Sequence, residues 1–174
     1  IIAEAGVNHN GNLKMAKSLI DIASDAGADY VKFQSFNVEN LLSKNAEKAD
    51  YQKNITDKNE SQYEMLQKLQ LSYDTHLDLI SYCKIKKIKF LSTPFDVESV
   101  DMLIKLGVNL IKIPSGEINN LPYLEYIGRV KLPIIISTGM STMQEIKEAL
   151  EILVDSGAKK SSISVLHCNS EYPT

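Results

Sequence analysis

Short apolar runs alternate with helical patterns along most of the chain, and this alternation is its clearest structural signal. Ile1 to Ala3 reads as the first strand and Tyr30 to Phe33 as the second. Between them, Leu13 to Ala26 sets Leu13, Ala16, Leu19, Ile20 and Ala23 on one face of a helix. Residues 34 to 74 break the rhythm, being polar and mixed in charge, with one helical pattern around Tyr63 to Leu69. This stretch far exceeds the roughly two to six residues usual between strand and helix, so it reads as an insertion.

The alternation then resumes. Helix Thr75 to Lys86 leads to strand Lys89 to Leu91, and helix Val97 to Leu106 to strand Leu110 to Ile113. Helix Leu121 to Gly128 precedes strand Ile134 to Ile136, and helix Met143 to Ser156 precedes strand Ser162 to Leu166. Gly27, Gly107 and Gly157 fall between a helix and the next strand, where a left-handed cap favours glycine. Ser141 or Thr142 can cap the last helix, with Glu145 placed to complete a capping box on Thr142.

The run Gly27 to Ser35 echoes Gly107 to Ser115 position for position, and each carries a strand lysine, Lys32 or Lys112. Such regularity predicts an α/β fold, a (β/α)8 TIM barrel with about six of its units in this chain. A Rossmann-type sheet competes, but Gly6-Val-Asn-His-Asn-Gly11 lacks the spacing of a dinucleotide loop. A barrel closes only with eight strands, so residues 1–174 are expected to be one barrel domain, incomplete at its C-terminus.

Composition narrows the field. Apolar residues make up 44% and charged residues 24%, as in ordinary globular proteins. The net charge of -3 argues against a nucleic-acid partner. Lys44, Lys48 and Lys53 lie among acidic residues and read as a solvated face. No apolar run approaches the roughly 20 residues of a membrane span, and no basic segment precedes a hydrophobic one at the start. Cys83 and Cys168 read as reduced thiols, which fits a cytoplasmic protein.

The chemistry centres on Lys32 and Lys112. A lysine in the middle of an apolar parallel strand points away from the covering helices, and an unpaired ammonium there costs several kcal/mol. Each needs a protein carboxylate or an anionic ligand. Glu4, at the end of the first strand, is the matching acid for Lys32, able to orient it, bind a hydroxyl or handle a proton. Around them stand His9 in the first loop and Gln34 and Phe95 at strand exits, as a wall or rim, while Thr93 offers a hydroxyl that suits a carboxylate. Ser115 and Glu117 follow the fourth strand; Ser137, Thr138 and a glycine follow the fifth, a hydroxyl-rich cradle for an oxyanion. His167 and Cys168 face opposite ways on a strand and make no metal site, and His76 sits in a helix with no evident role.

These residues resemble the sialic acid synthase family, the phosphoenolpyruvate-dependent synthases of nonulosonic acids. The matching runs are Ile1 to Gly11, Ala28 to Gln34, Ser92 to Phe95, Lys112 to Glu117, Ser137 to Met140 and Leu166 to Thr174, in order and end to end. The resemblance implies a barrel that condenses phosphoenolpyruvate with N-acetylmannosamine or a related amino sugar, giving a nine-carbon 2-keto acid and phosphate. It implies Glu4, Lys32 and Lys112 as catalytic residues. Lys112, Ser115 and Ser137 would hold the phosphate, and Lys32 and Thr93 the carboxylate. Glu117, Ser170 and Tyr172 would contact the sugar, Ser170 standing where some members carry asparagine. It further implies Mn2+ or Mg2+, bound through histidines beyond residue 174, and a homodimer of the full-length protein with a C-terminal antifreeze-like domain. A Schiff-base lysine aldolase and a non-catalytic sugar-phosphate binder are the other classes the lysines allow. Residues 1–174 alone are expected to release no phosphate from phosphoenolpyruvate and sugar; measurable turnover by this segment would contradict the six-unit reading.

Overall fold

The structure, a computed structural model, describes residues 1–41 and 61–170. It contains strands β1 (Ile2–Gly6), β2 (Tyr30–Ser35), β3 (Lys89–Pro94), β4 (Ile111–Ile113), β5 (Ile134–Ser137) and β6 (Ile163–Leu166). Its helices are α1 (Leu13–Asp25), α2 (Val38–Leu41), α3 (Gln62–Leu69), α4 (Tyr73–Lys86), α5 (Val97–Lys105), α6 (Leu121–Val130) and α7 (Met143–Asp155). The chain divides into two compact units, Ile1–Phe90 and Leu91–Thr174.

In the first unit, Asn12 caps α1 by accepting from the backbone of Lys14 and Met15 at 2.8 and 3.1 Å. Ala16, Ile20 and Ala23 then turn to the core. Burial alternates along β2, with Val31, Phe33 and Ser35 buried and Tyr30, Lys32 and Gln34 half-buried. Val31 and Phe33 pack with Ala16 and Ile20 of α1 and with Leu79 and Cys83 of α4. Burial pushes the Cys83 thiol up to about 12, so it stays an inert apolar filler. Of the expected insertion, α2 and α3 are seen; Lys44, Lys48 and Lys53 lie outside the described residues.

In the second unit, Ile111 and Ile113 of β4 and Ile134 and Ile136 of β5 meet Leu124 and Ile127 of α6 and Leu153 of α7. Thr142 caps α7 through the anticipated capping box, its hydroxyl and backbone N–H both bonded to the Glu145 carboxylate at 2.8 and 2.7 Å. Gly27, Gly107 and Gly157 take positive φ, as their places after helices require. Lys87 and Lys131 do the same at the ends of α4 and α6, where no glycine announces the stop.

The barrel expectation is corrected by the strand ladders. The six strands form two separate three-stranded parallel sheets, ordered β1-β2-β3 and β4-β5-β6, and not part of one closed eight-stranded cylinder. Lys32 therefore stands in one sheet and Lys112 in the other. Hydrophobic period reports the order of strands and helices, but it carries no information on which strand edges pair. Each sheet instead buries its apolar strand residues under its own helices, and each has its own core.

Helices α6 and α7 touch through glycine. A Cβ added at Gly128 would lie 2.6 Å from Ser156 Cβ and 2.7 Å from the Leu153 carbonyl oxygen. Gly128→Ala should therefore destabilise the protein by about 1–3 kcal/mol through overpacking. Gly116→Ala, with open space around it, should stay within about 0.5 kcal/mol. Urea unfolding of both variants checks this, and equal midpoints would refute the close contact.

Candidate functional site

The ladder builds the first cluster. In the β1–β2 pair Glu4 lies opposite Lys32, and the next register point, Gly6 opposite Phe33, skips Ala5 as a bulge. The pairing puts the Glu4 carboxylate in an ion pair with the Lys32 ammonium. The lysine side chain is 12% exposed and the glutamate 52%. The ammonium thus sits at the sheet while its partner reaches towards solvent, where it can meet a hydroxyl or a water. Gln34 shares the Lys32 face of β2.

His9 stands elsewhere. It is wholly buried, and its ring centroid lies 6.1 Å from that of Phe33, which faces away from Lys32. The Gly11 N–H donates to its Nδ1 at 3.0 Å, so Nε2 carries the ring proton. His76, expected to be idle, is also fully buried. Its Nδ1 donates to the Ser72 carbonyl at 2.8 Å, and its Nε2 accepts from the Ser35 hydroxyl at 2.7 Å. The sequence signal was Ser72, which caps α4 one helical turn before the histidine.

The second cluster lies at the ends of β4 and β5. Lys112 is buried, and its ammonium donates to Ser137 Oγ at 2.6 Å and to the Ile113 carbonyl at 2.8 Å. Having accepted there, the Ser137 hydroxyl retains its own proton to donate. Ser115 Oγ accepts from the Gly139 N–H at 2.9 Å, and Thr138 Oγ1 donates to the Leu166 carbonyl at 2.8 Å. These bonds stitch the strand exits together. Gly139 has no room for a side chain, since a Cβ would strike Ser170 Oγ and lie 3.0 Å from Ser115 Oγ.

The Cys168 sulfur, 3.7 Å from Ser115 Oγ, joins this cluster unforeseen. Burial pushes its thiol up, but the Thr138 and Gly139 backbone N–H groups and the Ser115 and Ser137 hydroxyls outweigh that and hold it below its ordinary value. Such convergent N–H and O–H donors, one hydroxyl away from an ammonium, favour negative charge.

Beside the cluster, Glu117 accepts from Asn120 Nδ2 at 2.6 Å in a turn of 3₁₀ helix spanning Ser115–Glu117. Thr93 is buried near the end of β3, and Phe95 is half-buried just beyond it. Ser170 is exposed, and Tyr172 lies outside the described residues. Among the described residues no group of three or more His, Cys, Asp or Glu side chains is placed to hold a metal ion. No helix there is long and apolar enough to cross a membrane.

The model of the NeuB family matches residues 19–174. The N,N'-diacetyllegionaminic acid synthase of Campylobacter jejuni is 57% identical over 173 residues, 99% of this chain and 52% of that protein. The synthase of the same name from Legionella pneumophila is 49% identical over 175 residues, 99% of this chain and 49% of its own. The crystal structure of the N-acetylneuraminic acid synthetase of Leptospira borgpetersenii, in complex with citrate, superposes with a TM-score of 0.83 at 35% identity. That match covers 99% of this chain and 55% of the other. The chain thus spans about half the length of the curated relatives it matches.

The two buried histidines generate a pH dependence. Burial, then the charge of His76, holds His9 below the usual histidine range; burial does the same for His76, opposed by its bond to Ser72. The unfolded chain takes up these protons near pH 6.5 and the folded chain resists. Stability should be level from pH 8 to 7 and fall as pH drops below about 6.5. Urea midpoints between pH 8 and 5.5 measure this, and a rise in stability on acidification would contradict it.

Proposed function

The chain belongs to the NeuB family, and from that membership we propose that the full-length protein condenses phosphoenolpyruvate with an N-acyl amino sugar. The products are a nine-carbon 2-keto sugar acid and inorganic phosphate. The single observation that carries this reading is the second cluster: a buried ammonium, Lys112, bonded to Ser137, beside the Ser115 hydroxyl, which accepts from the Gly139 N–H. This is the donor set a phosphoryl group requires. The N,N'-diacetyllegionaminic acid synthases at 57% and 49% identity favour a di-N-acetylated amino sugar as acceptor, with N-acetylmannosamine as the alternative.

Roles follow within each unit. In the second, Lys112, Ser115 and Ser137 hold the phosphoryl group, Thr93 donates to a carboxylate oxygen, and Glu117 and Ser170 meet sugar hydroxyls, with Tyr172 alongside. Phe95 and Thr138 wall the strand exits. In the first, Lys32 offers its ammonium to an anionic group and Glu4 handles a proton, with Gln34 beside them on the same face. C3 of phosphoenolpyruvate forms the new bond to the aldehyde carbon, whose oxygen takes up a proton. Water adds at C2 and gives up its proton to a base. The resulting tetrahedral carbon then expels phosphate with cleavage of its C–O bond. Fixed donors aimed at the developing charge supply most of the stabilisation.

A divalent ion, Mn2+ or Mg2+, was expected to polarise the aldehyde through ligands beyond residue 174. The described residues provide no donor set that fits it, so no step is routed through it. Homodimer assembly belongs to the same reading of the full-length protein, and light scattering tests it.

Phosphate release by the full-length protein with phosphoenolpyruvate and each candidate sugar is the direct test. Lys112→Met should lower kcat by roughly 10²–10³-fold, the usual cost of one preorganised donor. Glu4→Gln should lower it by roughly 10²–10⁴-fold. Borohydride trapping of substrate on Lys32 or Lys112, without phosphate release, would overturn the synthase in favour of a Schiff-base aldolase.

A further inference from the structure

The side chain of Asn120 makes two bonds of unequal quality. Its Oδ1 accepts from the Tyr123 N–H at 3.4 Å, the capping bond of α6. Its Nδ2 donates to Glu117 Oε2 at 2.6 Å. The first is longer than the roughly 2.7–3.2 Å of an ordinary N–H···O bond. The second is short, as bonds to a charged carboxylate are. The amide is therefore committed to the carboxylate first and to the helix second. Capping alone does not ask for an amide: aspartate caps equally well through an oxygen of the same reach, but ionised it has nothing to donate.

Other contacts hold the start of α6. Pro122, in its first turn, has no N–H to leave unpaired. Tyr123 is buried in the core of the second unit, and its hydroxyl donates to the Pro94 carbonyl at 2.6 Å. Burial, then the charges of Glu117 and Asp96, push the Tyr123 phenol above its ordinary value, so it stays a donor. On the other side, the Asn120 N–H donates to the Glu117 carbonyl at 3.1 Å. Asn120 thus grips Glu117 by backbone and side chain, from a helix anchored on the exit of β3.

We propose that Asn120 is a positioning residue, whose amide fixes the Glu117 carboxylate through Oε2 and so presents Oε1 to a hydroxyl of the sugar. A glutamate has several side-chain torsions to freeze before it can meet a guest, and here they are set before the guest arrives. The assignment rests on the synthase reading above, in which Glu117 meets the sugar. It adds what holds that carboxylate still.

The experiment follows phosphate release by the full-length protein with phosphoenolpyruvate and either the di-N-acetylated sugar or N-acetylmannosamine, whichever turns over faster. Asn120→Asp keeps the cap and replaces the amide donor with a like charge. It should lower kcat/KM for the sugar by roughly tenfold to 100-fold, the range of a hydrogen bond to a charged group, with most of the change in the sugar KM. The KM for phosphoenolpyruvate should move less than about twofold. Asn120 is exposed and aspartate is as good a cap, so the urea midpoint should stay close to that of the unaltered protein. With Glu117→Gln already in place, Asn120→Asp should cost less than about threefold, because its effect passes through that carboxylate. An unchanged kcat/KM for the sugar overturns the positioning role and leaves the synthase reading standing. So does a rise in the phosphoenolpyruvate KM as large as that for the sugar, or the full loss repeated beside Glu117→Gln. No phosphate release by the unaltered protein with any sugar overturns both.

Discussion

Burying an amino group costs several kcal/mol unless an acceptor or an anion meets it, and each sheet of this chain places one lysine under that constraint. Lys32 meets it through the ladder: β1 is registered so that Glu4 falls opposite it, and the bulge at Ala5 leaves that pairing intact. Lys112 meets it through the hydroxyl of Ser137 and the carbonyl of Ile113. The two solutions differ in character. A carboxylate meets the ammonium in the first case, a hydroxyl and a carbonyl in the second. On the proposed reading, the first is the proton-handling pair and the second the phosphate-holding cluster.

Much of this was legible in the residues. Strand order, helix order and the Thr142–Glu145 cap follow from local rules, because period and capping act over a few residues. Lys32 and Lys112 stood out because a charge inside an apolar run has few explanations. The ends of elements were less legible. The pair Gly27–Ser35 and Gly107–Ser115 looks equivalent, yet β2 runs to Ser35 while β4 stops at Ile113. Pro114 fits the difference, since it has no N–H to give a ladder, whereas Gln34 at the matching position carries one.

Long-range facts were not legible at all. No local pattern says that β4 pairs with β5 while β3 ends the first sheet, and the barrel expectation failed on that point. Nor does sequence place Cys168 among four donors, or show that His76 closes a buried chain from Ser35 to Ser72. Both depend on contacts between residues about 30 to 50 positions apart.

Within each sheet every strand pairs with its neighbour in sequence, and no ladder reaches across a skipped strand. Parallel neighbours need a crossover between them, so each pairing still closes a loop of chain before its bonds form. The first unit also carries a core drawn from its own residues. Synthesis from the N-terminus can therefore complete β1, β2 and their helices while the second unit is still emerging from the ribosome. Order of assembly, on this account, is written in the strand sequence itself.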